Sequence, residues 1–149
     1  MTDFTIFSKE DYEKLAEFRY ALRCFLHFSE NAAESAGLTF QQHQAMLFII
    51  GYPGREQVTI GELAERLQIR HHSAVGLMDR LEEQDLVERM PNNEDRRQVF
   101  IHLTQKGMTV LESLGNLHRE ELGHLGPQLC SHLEQITKLT EKKLIQPSQ

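Results

Sequence analysis

The sequence predicts a mainly α fold with one small β-hairpin, and three observations carry that prediction. Apolar residues recur at three- and four-residue steps toward both ends, two short helical segments lie close together in the middle, and a segment with two-residue alternation follows them around a turn. The chain has 149 residues, 40% hydrophobic and 26% charged, which is enough for one globular domain, 1–149, with a core of its own. No apolar run approaches the roughly 20 residues that span a bilayer, and the N-terminus lacks a basic segment followed by an apolar one. A cytoplasmic protein with no membrane partner is expected.

Ser8 can cap a first helix starting at Lys9, in which Leu15, Phe18, Leu22, Phe25 and Leu26 keep helical spacing until Gly37 ends it. Thr39 can cap a second helix, whose Phe40, Ala45, Met46, Leu47, Ile49 and Ile50 are dense enough to imply burial before Gly51-Tyr52-Pro53-Gly54 breaks it. Thr59-Ile60-Gly61-Glu62 reads as a capping box opening a short helix that buries Leu63, Ala64 and Leu67. Gln68-Ile69-Arg70 leaves room only for a tight turn. The next helix, 71 to about 84, buries Ala74, Leu77, Met78 and Leu81, and Asp85 leaves it where a left-handed residue is favoured.

Leu86 to Met90 then reads as a strand, Pro91 to Glu94 as a turn and Gln98 to Leu103 as the returning strand, with Val99, Ile101 and Leu103 on one face. Helical spacing resumes at Gln105, with Met108, Leu111, Leu114, Leu122 and Leu125. Gly126-Pro127 is expected to interrupt it, the proline suiting the first turn of a last helix with Leu129, Leu133, Ile136 and Leu139. The pair of helices plus hairpin has the form of a winged helix-turn-helix.

Charge narrows the chemistry. The formal net charge is -6, so a coat of sequence-blind positive charge is absent and a nucleic-acid site must be local. Arg96 and Arg97 supply local positive charge at the hairpin tip. Cys24 and Cys130 are too few and too far apart for a disulfide framework or a metal motif, and buried, reduced thiols are expected. No nucleophile-base-acid series or glycine-rich phosphate loop stands out, so no enzyme and no cofactor are expected.

The run from Thr59 to Gly107 resembles the DNA-binding core of the MarR family of bacterial transcription regulators. The resemblance rests on Glu62-Leu63-Ala64, Asp79-Arg80-Leu81-Glu82, Leu86-Val87-Glu88-Arg89, and a wing-to-helix signature at Asp95, Arg97, Leu103, Thr104 and Gly107. It implies a winged helix-turn-helix core at 39–104 flanked by N- and C-terminal dimerisation helices at 8–36 and 105–146. Double-stranded DNA would be the partner and a homodimer the binding unit.

In such a module the second helix of the pair enters the major groove and the first braces it across the backbone. Arg70, His71, His72, Ser73, Val75 and Gly76 are the exposed positions at its start, with Arg80 further along. Arg70 can pair with phosphate or guanine, the histidines and Ser73 can donate hydrogen bonds, Val75 can touch a thymine methyl, and Gly76 lets backbone approach closely. Relatives often carry polar or basic residues at 75 and 76, so more of the discrimination falls on Arg70, the histidine pair and the wing. At the wing, Arg96 or Arg97 would enter the minor groove with Asp95 holding the hairpin or the arginine in place. Arg89, between Glu88 and Glu94, is the weaker candidate.

The resemblance also implies control by a small aromatic effector between the terminal helices and the winged core, with Phe25, Phe28, His43, Phe48 and Arg80 as its neighbours. Two other schemes fit less well. A peroxide-sensing branch uses a cysteine earlier in the first helix than Cys24. A zinc-responsive branch would have His43 and His118 among its ligands, but Phe25 and Leu122 stand at the other ligand positions. The different-class alternative is a protein-docking winged helix, which would not need Arg96 and Arg97.

Overall fold

The protein is described by a computed structural model covering residues 7–145, with side chains described to residue 138. The side chain of Leu139 and residue 146, both within the expected terminal helices, lie outside the described residues. The elements run α1 (Lys9–Ser35), α2 (Phe40–Ile50), β1 (Gln57–Thr59), α3 (Ile60–Leu67), α4 (His71–Glu83), β2 (Val87–Pro91), β3 (Val99–Leu103) and α5 (Gln105–Ile145). This is a winged helix-turn-helix flanked by helices: mainly α, with one small antiparallel sheet.

Local chemistry sets most of the boundaries. Ser8 and Asp11 exchange side-chain to backbone bonds at the start of α1, satisfying amides that have no partner within the helix. Gly37, at φ 77°, turns the chain out after α1, and the amide of Leu38 reaches back to the carbonyl of Ala33. Thr39 and Gln42 form a reciprocal capping box on α2, and Thr59 and Glu62 form another on α3.

The chain forms two compact units, one holding 30–117 and the other holding residues of 1–29 and 118–149. In the first, Met46, Ile49, Val58, Leu63, Met78, Leu81, Val87, Ile101 and Leu114 are fully buried. The sheet has the order β1-β3-β2, with Val58 opposite Ile101, and Val87 opposite Leu103. These inward residues cover the α2 to α4 layer. Phe100 and His102 alternate to the other face.

In the second unit Ala21, Asp11 and Ser29 are buried. His118 stands edge-on to both Phe25 and Phe28, and its Nε2 lies 2.8 Å from the Ser29 hydroxyl. Tyr12, Leu15, Tyr20, Leu26, Leu122 and Leu133 stay exposed.

Three expectations need correction, and one element is new. The helix from Gln105 does not stop at Gly126-Pro127: α5 is a single element with Pro127 inside it. Proline removes one amide and crowds the carbonyl of Gly123, yet the hydrogen bonds on either side keep the helix running. Strand β1 is an addition, three residues long, and it exists by pairing with β3. Leu47 is exposed although its neighbours in α2 are buried, because it points away from the layer that Met46 and Ile49 enter. Cys130 is exposed and Cys24 half-buried, so neither thiol is sealed in a core.

Candidate nucleic-acid interface

Helices α3 and α4 are joined by a turn that depends on one residue. Gln68 takes a left-handed conformation (φ 54°), and its amide and that of Ile69 both return to the carbonyl of Ala64. The chain can then start α4 within three residues. Arg70 sits at the N-cap of α4 with an extended backbone, and its side chain makes no capping bond. Arg70, His71, His72 and Ser73 are exposed, Val75 and Gly76 half-buried, while Ala74, Leu77, Met78 and Leu81 are buried. The start of α4 therefore leaves Arg70 to Ser73 accessible to solvent and Val75 and Gly76 partly so, with Arg80 exposed further along.

Gly76 has no internal reason to be glycine. A Cβ placed there would meet nothing within 4 Å. At this half-buried helical position the absence of a side chain leaves the backbone open to close approach.

The wing is more ordered at its tip than a simple turn. The Asn92 amide donates to the Gln98 carbonyl and the Gln98 amide to the Asp95 carbonyl, each at 3.1 Å. Asn92 Oδ1 accepts from the Glu94 amide at 2.9 Å, and Asp95 Oδ1 from the Arg97 amide at 3.0 Å. Both are Asx-turns, in which a short polar side chain replaces a backbone acceptor. Asp95 thus holds the loop, and its Oδ1 also lies 3.6 Å from Arg97 Nε. The Arg97 side chain is nevertheless 95% exposed. Arg96 is exposed beside it.

Arg89 is engaged by partners other than Glu88 and Glu94. Its guanidinium spans to α4, bonding Asp79 at 2.6 Å and Glu82 at 2.9 Å, and the Asp79 bond raises its pKa further. Glu88 instead faces His102 across the strand pair at 3.1 Å. Arg89 pins the wing to α4.

The wing joins α5 through Thr104. Its hydroxyl donates to the Asp85 carbonyl at 2.6 Å and accepts from the Gly107 amide at 3.0 Å, while its own amide reaches the Leu86 carbonyl. Asp85 is left-handed, as the sequence requires, at φ 59°.

One cluster has no counterpart in the sequence reading, which assigns Tyr52 only to a chain break. The Arg55 guanidinium lies 4.6 Å from the centre of the Tyr52 ring and 5.4 Å from that of Phe100, and Arg66 lies 5.1 Å from Tyr52. Arg55 also bonds Glu62. Burial pushes the Glu62 carboxyl up, but hydrogen bonds from Tyr52, from the Thr59 backbone and hydroxyl, and from Arg55 outweigh it and hold the pKa below its ordinary value. Spacing along the chain connects only Glu62 and Arg66, four apart on α3, and does not bring Tyr52 and Arg55 to them.

The expected effector residues are distributed between the units. Phe25 and Phe28 pack around His118 in one, whereas His43 is buried and Phe48 half-buried in the other. A cavity of about 490 Å³ in the winged unit is lined by other residues, among them Ile50, Arg55, Met90, His102 and Met108. Tyr20 lies beside Cys24, whose hydrogen bond raises the phenol pKa. Among the described residues no three His, Cys, Asp or Glu side chains are grouped to hold a metal ion. No helix among them is long and apolar enough to cross a membrane.

A three-residue turn between two helices, a wing pinned to the second of them and exposed arginines at both define a winged helix-turn-helix protein. Residues 36–98, α2 through the wing loop, match the sequence profile of the MarR family. Over those residues the chain is similar to that family. An uncharacterized HTH-type transcriptional regulator of Bacillus subtilis, YsmB, is 34% identical over 65 residues, 44% of each chain, so the chain spans less than half of that relative. The organic hydroperoxide resistance transcriptional regulator of Bacillus subtilis is 27% identical over 103 residues, 69% of this chain and 67% of that one. A crystal structure of a mutant MarR from E. coli complexed with operator DNA superposes with a TM-score of 0.66 at 23% identity, covering 85% of this chain and 89% of the other.

Proposed function

We propose that this protein is a sequence-specific double-stranded DNA-binding regulator, a cytoplasmic repressor that binds a palindromic operator as a homodimer and is released by a small aromatic effector. The observation that carries the reading is a division of labour among side chains. Glu62, Asp79, Glu82, Arg89, Thr104 and Gly107 serve the internal architecture, whereas Arg70, His71, His72, Ser73, Arg96 and Arg97 face outward. Outward donors and arginines gathered at one helix start and one hairpin tip of an acidic protein fit a groove of opposite charge.

In this reading α4 lies in the major groove, where Arg70, the histidine pair and Ser73 contact base edges or phosphates, Val75 meets a thymine methyl, Gly76 admits close approach, and Arg80 follows the backbone. Arg96 and Arg97 reach the adjacent minor groove from a loop fixed by Asp95. Dimerisation is supported by the apolar surface left exposed at Leu15, Tyr20, Leu26, Leu122 and Leu133. Two modules a helical turn apart, about 34–36 Å, read a palindrome far more tightly than one. The aromatic surround of His118, with Phe25 and Phe28, supports an effector with a flat ring; His43 and Phe48 complete the proposed effector set.

Selection of bound fragments from random duplex DNA tests the reading. Enrichment of an inverted repeat with half-sites one helical turn apart is expected. Return of unenriched sequence would favour a protein-docking winged helix instead.

A further inference from the structure

We infer that Arg66, held against the ring of Tyr52, is a binding site for a backbone phosphate of the DNA strand that passes between the two grooves. The inference rests on the DNA-binding reading above and adds a contact outside the recognition helix and wing tip.

Charge accounting singles out Arg66. Tyr52 carries a guanidinium from Arg55 and another from Arg66, but the cluster holds one carboxylate, Glu62. Arg66 lies four residues after Glu62 on α3, a spacing that ordinarily brings such a pair together. Here the carboxylate is taken by Arg55, Tyr52 and Thr59. Among the described residues Arg66 makes no ion pair, and it is exposed.

Its position supplies the ligand. Arg66 occupies the last turn of α3, just before the turn into α4, and Arg55 ties the same cluster to Phe100 of wing strand β3. If α4 occupies one groove and the wing tip the next, the sugar-phosphate strand separating those grooves crosses the span between α3 and β3. The first helix of such a pair is the one that crosses the backbone. A guanidinium suits this task because its planar fork matches phosphate oxygens. Stacking on Tyr52 limits the orientations that binding would otherwise have to freeze out.

The test uses the full-length protein, the duplex recovered by selection and a scrambled duplex of equal length, with affinities measured over a salt series. Arg66→Gln should weaken both duplexes by the same factor and lower the slope of log affinity against log salt by about one per bound protomer. Over a fourfold rise in salt that amounts to a loss of affinity about threefold smaller per protomer than in the wild type. Arg66→Lys should restore the slope. Tyr52→Leu should weaken both duplexes while keeping the slope, since the charge remains but its orientation is lost. Unchanged affinity and slope for Arg66→Gln, at an unchanged melting temperature, would overturn the inference, and so would a loss confined to the selected duplex. Failure of the wild type to bind either duplex would instead sink the DNA-binding reading itself.

Discussion

Gly107 packs against the carbonyl group of Leu86 so closely that a Cβ on it would lie 2.2 Å from the carbonyl oxygen. The contact joins the first turn of α5 to the chain just before β2, and the carbonyl involved also accepts the Thr104 amide. Gly107→Ala would have to displace backbone. A loss of about 3 kcal/mol in unfolding free energy is expected, read from the denaturant midpoint at constant slope.

Gly76→Ala should do the reverse. Open space surrounds that Cβ, and replacing a helical glycine by alanine typically adds about 0.5–1 kcal/mol. The more stable variant should bind operator DNA more weakly. A variant that gained stability and lost no affinity would show that the DNA backbone does not approach residue 76.

Thr104 caps α5 and braces the exit from α4 with one hydroxyl. Thr104→Val removes both side-chain bonds, to the Asp85 carbonyl and from the Gly107 amide. The expected cost is about 1–2 kcal/mol. Amide exchange should accelerate at Gly107 and along the start of α5 rather than in α1.

Residues of the two groove-facing elements should differ in how they fail. Arg70→Ala should cost about 1–3 kcal/mol at particular base pairs and relax preference there, whereas uniform weakening would assign Arg70 to phosphate. Arg97→Ala should lower operator affinity at fixed salt without lowering the melting temperature, because its side chain is almost wholly exposed. Asp95→Ala removes the Asx-turn acceptor and should reproduce part of that loss with both arginines intact. Asp95→Asn keeps an acceptor and should retain most of the affinity.

Glu62 gives the fold a dependence on acid. Its folded-state pKa is lowered, so its ionised form adds stability that is fully present above the ordinary glutamate value, about 4.3, and is lost as pH falls through the folded-state value. Glu62→Gln can still accept the Thr59 amide in the capping box but has no charge to lose. The wild type should exceed this variant in melting temperature near neutral pH, and the gap should close as acid is added below about pH 4.3. A gap constant from neutral to acid pH would mean that the carboxylate adds nothing through its charge.

Much of this architecture is local and therefore legible. Caps at Thr39 and Thr59, the glycine exit at Gly37 and the left-handed Asp85 each depend on a few consecutive residues. So does the exposure of Arg70 to Ser73, since the helical spacing of buried Ala74, Leu77, Met78 and Leu81 sets which side of α4 faces the core. Pro127 misled because a helix-breaking tendency is itself a local signal, and it was outweighed by continuity on both sides. The order within the wing loop was only half visible, as Asx-turns at Asn92 and Asp95 refine a turn that the residue types announce.

The sequence by itself determined helices α1 to α4, the start of α5, the helix-turn-helix spacing and the pair of arginines at the wing tip, because periodicity, caps and turn residues act over a few positions. Tertiary structure alone decided which motif residues are architecture. It sent Arg89 to Asp79 and Glu82, made β1 a strand by pairing it with β3, and placed Gly107 against Leu86. It also assembled Tyr52, Arg55, Glu62 and Arg66 around one ring and one carboxylate. Those relationships join residues from different elements, and the partner that neutralises a charge or crowds a backbone depends on the packing of those elements rather than on spacing along the chain.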